Sequence, residues 1–208
     1  MLSLQADFMI DDCKKADSAP KGDAALRNEA VNYLAYDRLK DGQKVMIRPV
    51  CREDKNTLQE AMHHLSKESR YFRFFTPKDE LTEKELQYFT ELDYVHHVGL
   101  VAYLLENGKN RPVGVGRYIV GKDPASAGSA ELAFAVDEQY QGRGVATVLL
   151  KHLTTIARNS GLRQFTALVL RANEKMLRVF EHCGLPMKNE PDSDGVYNIT
   201  LAIEQKEK

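Results

Sequence analysis

The stretch Ala130-Glu-Leu-Ala-Phe-Ala-Val-Asp-Glu-Gln-Tyr-Gln-Gly-Arg-Gly-Val-Ala-Thr147 decides how this chain is read. A β-rich run, Ala130 to Val136, passes through a glycine-bearing turn into a helix predicted over Gly142 to Ser160. Val145, Val148, Leu149, Leu153 and Ile156 share one face of that helix, and Gly161 ends it. Gly142 and Gly144 leave no side chain over the first turn, so amides without helical partners face outward at the positive end of the dipole. That arrangement suits a pyrophosphate. Arg143 is expected to add a charge beside it, and Ala146 allows close approach. No G-x-x-x-x-G-K-[ST] occurs in the chain, which removes the P-loop. The dinucleotide fingerprint G-x-G-x-x-G is half met, but Thr147 stands where the third glycine belongs. The strand ending at Leu170 is followed by Arg171 rather than an acid.

Working outward, Phe165 to Leu170 reads as a strand, Asn173 to Cys183 as a helix and Val196 to Ile203 as a last strand. Upstream, Tyr94 to Leu105 and Arg111 to Val120 are β-rich runs joined across Asn107-Gly108, a hairpin dipeptide. Lys44 to Val50 reads as another strand. Helices are expected over Glu53 to Leu65, Ser69 to Phe75 (with Ser66 as cap) and Thr82 to Leu92. A helix is also expected over Ala24 to Lys40, stopped by Asp41-Gly42, behind a polar leader. Helices, then antiparallel strands, then one β-α-β-α-β passage make an α+β domain, a mixed and mostly antiparallel sheet with helices on both faces. The expected division is an N-terminal leader and helical extension, 1–43, and a cofactor-binding domain, 44–208.

The 208 residues carry 29 basic and 30 acidic side chains, and this near-zero charge argues against a dedicated nucleic-acid binder. No apolar run reaches the length of about 18 residues that a membrane span needs. The start carries Asp7, Asp11 and Asp12 and no basic n-region, unlike a secretory signal. Three well-separated cysteines, Cys13, Cys51 and Cys183, suit a reduced, cytoplasmic setting. The histidine pairs His63-His64 and His96-His97 point to alternate sides and make no metal clamp, so no metal is expected.

Gln141-Gly142-Arg143-Gly144-Val145-Ala146 matches Q/R-x-x-G-x-G/A, and by this motif the chain resembles the GNAT acetyltransferase superfamily. The resemblance runs over about Lys44 to Ile203. It takes in Val169-Leu-Arg-Ala-Asn-Glu-Lys-Met-Leu-Arg-Val-Phe-Glu-His-Cys-Gly-Leu185, which looks like the segment after the loop in those enzymes. Val45-Met-Ile-Arg-Pro-Val-Cys-Arg-Glu-Asp54 resembles the superfamily's opening I-R-P-x-x-x-x-D. Ser66-Lys-Glu-Ser-Arg-Tyr-Phe-Arg-Phe-Phe75, with Asp93-Tyr94 and Gly99-Leu-Val-Ala102, looks like the Pat-type bacterial protein-lysine acetyltransferases. The resemblance implies the GNAT acyl-CoA N-acyltransferase fold, with acetyl-CoA as cosubstrate. Gln141, Gly142, Arg143, Gly144, Val145, Ala146 and Thr147 would form its pyrophosphate loop. The Phe134, Ala135 and Val136 backbone would bind the pantetheine, and Asn173 would stand near the cofactor.

Amine attack on a thioester needs a neutral amine, and a lysine of pKa about 10.4 is mostly protonated at neutral pH. A general base is therefore expected, and Glu131, at the start of the strand and on the side of Ala133 and Ala135, is the candidate. Pat-type enzymes are similar in placing a catalytic Glu there. Phe180 stands where many GNAT enzymes carry an acid tyrosine, so no general acid is assigned. Arg70, Tyr71 and Arg73 lie where the family builds the acceptor side, and Phe72, Phe74 and Phe75 are expected in the core. The activity implied is transfer of an acetyl group to an amine, a protein lysine on an acyl-CoA synthetase-like target. The alternatives are a small-molecule amine and a non-catalytic coenzyme A sensor.

Overall fold

Residues 35–38, expected inside a helix, form instead the first strand of the sheet. The structure is a computed structural model that describes residues 29–106, 109–121, 123, 127–192 and 194–203. The first part of the expected helix, 24–28, and the hairpin dipeptide Asn107-Gly108 lie outside these residues. Helix survives at 29–31. From there β1 (Ala35–Arg38) turns at Leu39–Gln43 into β2 (Lys44–Pro49), pairing Ala35 with Ile47 and Arg38 with Lys44. The outer edge of β2 offers a row of backbone donors and acceptors, and a strand meets them where an isolated helical turn would not. Ala30, Val31 and Leu39 are buried, so the described part of the extension belongs to the same core as the sheet.

After β2 come three short helices, α1 (Lys55–His63), α2 (Lys67–Phe74) and α3 (Glu83–Thr90). The Ser66 hydroxyl accepts from the Ser69 amide, and Thr82 with Glu85 makes a reciprocal capping box. Strands β3 (His97–Glu106), β4 (Lys109–Val120) and β5 (Ser129–Val136) follow, then α4 (Val145–Asn159), β6 (Gln164–Leu170), α5 (Glu174–Glu181), β7 (Met187–Pro191) and β8 (Val196–Ala202). β7 was not expected; its residues Lys188, Asn189 and Glu190 are exposed and carry no apolar alternation. It is recruited as an edge strand by β8.

The strand order is β1-β2-β3-β4-β5-β6-β8-β7, and every neighbouring pair is antiparallel except β5 with β6. That parallel pairing covers only Ser129, Ala130 and Glu131 against Gln164, Phe165 and Thr166. Beyond it the strands part, and the β6-facing edge of β5 from Leu132 to Val136 has no sheet partner.

Alternation sorts the central strands onto two faces. Gly116, Tyr118, Leu132 and Phe134 turn toward α4, α5 and Phe165. A Cβ added at Gly116 would lie 2.8 Å from Phe134 Cε1 and 3.2 Å from Leu149 Cβ, Phe134 meets Phe180, and Tyr118 meets Phe165. The opposite face, with His97, Val115, Arg117, Glu131, Ala133 and Ala135, is roofed in part by α1, α2 and α3. Under α1 lies Arg48, whose guanidinium grips the Asp54 carboxylate at 2.6 and 2.8 Å and donates to the Tyr103 hydroxyl at 2.6 Å. The arginine and aspartate of the opening motif are thus a buried structural pair. Pro112 sits where β4 slips register against β3, at Ala102/Tyr103, which is where a central strand tolerates a residue without an N–H.

Candidate active site

Three parts meet around β5: a loop of free amides, a gap between strands, and a cavity on the opposite face. The loop begins where β5 ends. The Asp137 amide donates to the Val113 carbonyl at 3.0 Å, and its carboxylate caps a 3-10 turn, Glu138–Tyr140. Gly142 and Gly144 then adopt φ of 75° and 95°, the left-handed region that a side chain disfavours. Gly144 is the N-cap of α4, and the amides of Val145, Ala146 and Thr147 lie in the first turn, where no helical carbonyl precedes them.

The Arg143 guanidinium does not stand free beside this loop. It pairs with the Asp41 carboxylate at 2.6 Å, bonds the Gln43 side chain at 2.5 Å and lies over the Tyr140 ring. The Gln43 amide and Arg143 hold the Asp41 carboxyl below its ordinary value. The Arg143 carbonyl also accepts the Lys40 amide at 3.0 Å, so the β1–β2 turn is clipped to the loop. Lys40 runs alongside Gly144: a Cβ added there would sit 3.2 Å from Lys40 Cγ. Gln141 ties the loop on its other side, donating to Ser69 Oγ at 3.1 Å and to the Val136 carbonyl at 3.3 Å. It also accepts from Lys175 Nζ at 2.7 Å. Lys40 and Lys175 thus lie beside the loop together with Arg143. Neither position carries a local sequence signal, because both are brought in from other elements.

Phe134, Ala135 and Val136 lie on the stretch of β5 that β6 does not pair, beside the gap, with the Val136 carbonyl already taken by Gln141. Across the gap, Asn173 caps α5, its side chain accepting from the Met176 amide at 3.2 Å. Phe180 is 1% exposed and packs edge-on against Phe134, with ring centroids 6.3 Å apart. It fills space and can donate no proton. Glu131 pairs with Thr166 in the last parallel register before the gap, and its side chain is exposed. Among the described residues no cation lies within ion-pair distance of it, although its charge favours the charged form of Arg73.

On the Ala133/Ala135 face is a cavity of about 410 Å³, walled by Leu58, Met62, Leu65, Phe74, Phe89 and Val115 and also lined by Arg73 and Arg117. Of the two arginines singled out on α2, Arg70 pairs with Asp79 at 3.1 Å, whereas Arg73 enters the cavity. Phe72, Phe74 and Phe75 are not core residues: α2 buries none of its side chains fully, and Phe75 is 40% exposed. The helix lies over a cavity, and Phe74 alone of the three packs, half-buried, against the edge of the core. Arg117 was missed; its signal was a lone charge amid the otherwise uncharged run Pro112 to Val120. The acids Asp79, Glu83 and Glu85 pair with Arg70, Lys55 and Lys78. Asp93 spends its carboxylate on the amides of Val95, His96 and His97 at 2.8 to 3.0 Å. Among the described residues no cluster of His, Cys, Asp or Glu could hold a metal ion, and no helix is long and apolar enough to cross a membrane.

Against known proteins, residues 59–185 match the model of the acetyltransferase (GNAT) family. An acetyltransferase of Pseudomonas aeruginosa is 32% identical over 167 residues, covering 80% of this chain and 88% of that protein. The crystal structure of the GNAT domain of S. lividans PAT superposes with a TM-score of 0.72 at 37% identity, covering 81% of this chain and 96% of that one. The acetyltransferase Pat of Mycolicibacterium smegmatis is 29% identical over 147 residues, 71% of this chain but only 43% of that protein.

Proposed function

We propose how this chain, which belongs to the acetyltransferase (GNAT) family, uses the site: it carries acetyl from acetyl-CoA to a lysine side chain of another protein, with Glu131 taking the proton. Acetyl-CoA-dependent acyl transfer is the activity of the family; the acceptor and the roles of individual residues are the proposal. The observation that carries it is the position of Glu131 at the last β5–β6 pair, where the gap opens and the acceptor cavity adjoins.

The parts present fit acetyl-CoA. The loop Gly142 to Thr147 offers amides and a helix N-terminus to the pyrophosphate, with Lys40 and Lys175 beside it. The stretch Phe134, Ala135 and Val136, which β6 leaves unpaired, offers its remaining backbone groups to the pantetheine amides, which extends the sheet across the gap as a strand would. The thioester is thereby directed toward Glu131, and a backbone amide of this edge is placed to polarise its carbonyl. The incoming ammonium gives a proton to the Glu131 carboxylate, directly or through water, and the neutral nitrogen then attacks. The C–N bond forms as the C–S bond breaks, and the nitrogen sheds its second proton to water. The thiolate leaves toward the gap, where Phe180 gives it no protein acid, and water supplies its proton.

The similarity to two Pat proteins supports a protein lysine as acceptor. So do the exposed aromatics Tyr71 and Phe75 on α2 and Tyr88 on α3, the two helices beside the cavity. The test is thiol release from acetyl-CoA with small amines, lysine peptides and an acyl-CoA synthetase, followed by mass spectrometry of the acceptor. Acetylated lysine on the protein acceptor is the expected product. Turnover confined to small amines would replace the acceptor, and tight coenzyme binding with no turnover on any acceptor would favour a coenzyme A sensor.

A further inference from the structure

Arginine is buried at two places in this fold, and the two are treated differently. Arg48 is 3% exposed and meets Asp54 through both ends of its guanidinium. Arg117 is 4% exposed, yet no carboxylate among the described residues lies within 4 Å of it. Its contacts are neutral: Nη1 donates to His97 Nε2 at 3.2 Å and to the Phe89 carbonyl at 3.4 Å, and the guanidinium lies 4.4 Å from the Phe89 ring centroid. Arg73 approaches the same ring from α2, at 5.7 Å; among the described residues no carboxylate lies within ion-pair distance of it, and Glu131 is the acid whose charge reaches it. Burial pushes both guanidinium groups down, Arg117 to about 9, and the charge of Arg73 works in the same direction on Arg117. Arginine keeps its proton in proteins, so that shift measures how badly the charge is compensated.

A buried, unpaired charge is costly, and packing alone would be served as well by an apolar side chain. Both guanidinium groups line the cavity. Only Nη1 of the Arg117 fork has acceptors, which leaves Nε and Nη2, the edge that takes a carboxylate side-on, unengaged. His97 is held neutral by burial and by Arg117, with a pKa of about 3, so it serves the fork as an acceptor without adding charge. Arg117 pairs with Ala133 across the sheet, two residues along the same face from Glu131. That is a separation of about 7 Å at the rise of a strand. The cavity falls in the volume range of about 300–1,000 Å³ typical of small-ligand sites.

We infer that Arg117 and Arg73 form a carboxylate-binding subsite for the acceptor, so that the amine acetylated beside Glu131 belongs to a molecule or segment that also carries a carboxylate. The inference rests on the acetyl-transfer reading of the same cavity. The carboxylate has two possible sources: an acidic side chain near the target lysine of a peptide, or the α-carboxylate of a free amino acid. Two arms separate them. In the first, lysine peptides carrying Glu one to three residues from the acceptor are compared with peptides carrying Gln. In the second, L-leucine and L-phenylalanine, chosen for the apolar walls, are compared with their α-amides.

The full-length protein should prefer the acid in one arm by about tenfold or more in kcat/KM, the value of one charge-assisted hydrogen-bond pair. Arg73→Gln, on a half-buried helix position that should tolerate it, and Arg117→Gln should erase that preference. They should do so through KM for the acceptor, with KM for acetyl-CoA unchanged. Calorimetric binding of N-acetyl-L-leucine and of an acetyl-lysine–Glu peptide, against their amide and Gln counterparts, reads the subsite without turnover. It separates failure of the subsite from failure of the acetyl-transfer reading. Equal handling of acids and amides in both arms, or a preference that survives Arg73→Gln and Arg117→Gln in folded protein, would overturn the inference.

Discussion

Replacing Glu131 by Gln isolates proton removal from everything else the site does. The side chain is exposed, and among the described residues it makes no ion pair. Gln matches it in shape, and the pairing of Glu131 with Ile119 and Thr166 is made by backbone. Melting temperature and acetyl-CoA affinity should therefore stay at the parent values. The kinetic effect should be large, because a lysine of pKa about 10.4 is neutral in only about one molecule in 10³ at pH 7.4. An enzyme without its base must wait for that fraction, so kcat should fall by about 10²–10³-fold, within the range of general-base catalysis. The deficit should also depend on pH. Each unit of alkalinity raises the neutral fraction about tenfold, so the gap between parent and variant should narrow steadily from pH 7 toward pH 10. Steady-state thiol release across that range, with acceptor saturating, makes the measurement. Near-parent turnover at pH 7 would remove Glu131 from the chemistry. A deficit of constant size at every pH would make it a residue that orients the acceptor rather than one that takes its proton.

Asp54→Ala should cost about 3–5 kcal/mol, because it strands the buried Arg48 guanidinium with the neutral acceptors Tyr103, the Pro49 carbonyl and Cys51 Sγ. At this chain length that is a drop of about 6–20 °C in Tm by calorimetry; a loss under 1 kcal/mol would show that the pair is not buried as described. Gly114→Ala should displace the start of α4, since the new Cβ would lie 2.7 Å from Val145 Cγ1 and 3.3 Å from the Ala135 carbonyl. We expect about 1–3 kcal/mol of destabilisation and a raised KM for acetyl-CoA, with KM for the acceptor little changed. His97 has a folded pKa of about 3 against an ordinary 6.5, so between those values the unfolded chain binds a proton that the native protein refuses. Its contribution is complete above about pH 6.5 and is lost as pH falls, by about 1.4 kcal/mol per unit, or about 3 kcal/mol at pH 4.5. Denaturant titrations at pH 7 and pH 4.5 should show His97→Gln with a visibly smaller acid loss than the parent.

The loop and its supports were legible because their signals are local. Two glycines before an amphipathic helix, a strand before them and an Asn-capped helix after them each depend on neighbours a few residues away. The Ser66 cap was legible for the same reason. The strand at residues 35–38 was not, because a short segment with mixed propensity takes whichever form its surroundings complete, and here the open edge of β2 decided it. Arg143 shows the limit within the motif itself. Its place in the loop follows from sequence, but its charge is claimed by Asp41, about a hundred positions away along the chain.

The sequence by itself carried the motif by which the chain resembles its family, and it determined the mixed sheet and the glycine turn ahead of α4, since the last two follow from periodicity and turn chemistry. The tertiary structure alone decided where β5 and β6 part, and with it the position of Glu131 at the mouth of the gap. It also decided that Arg73 and Arg117, from a helix and a strand with no pattern in common, meet in one cavity around Phe89. The physical reason is that burial, charge compensation and the ending of a strand pair are properties of what surrounds a residue in space.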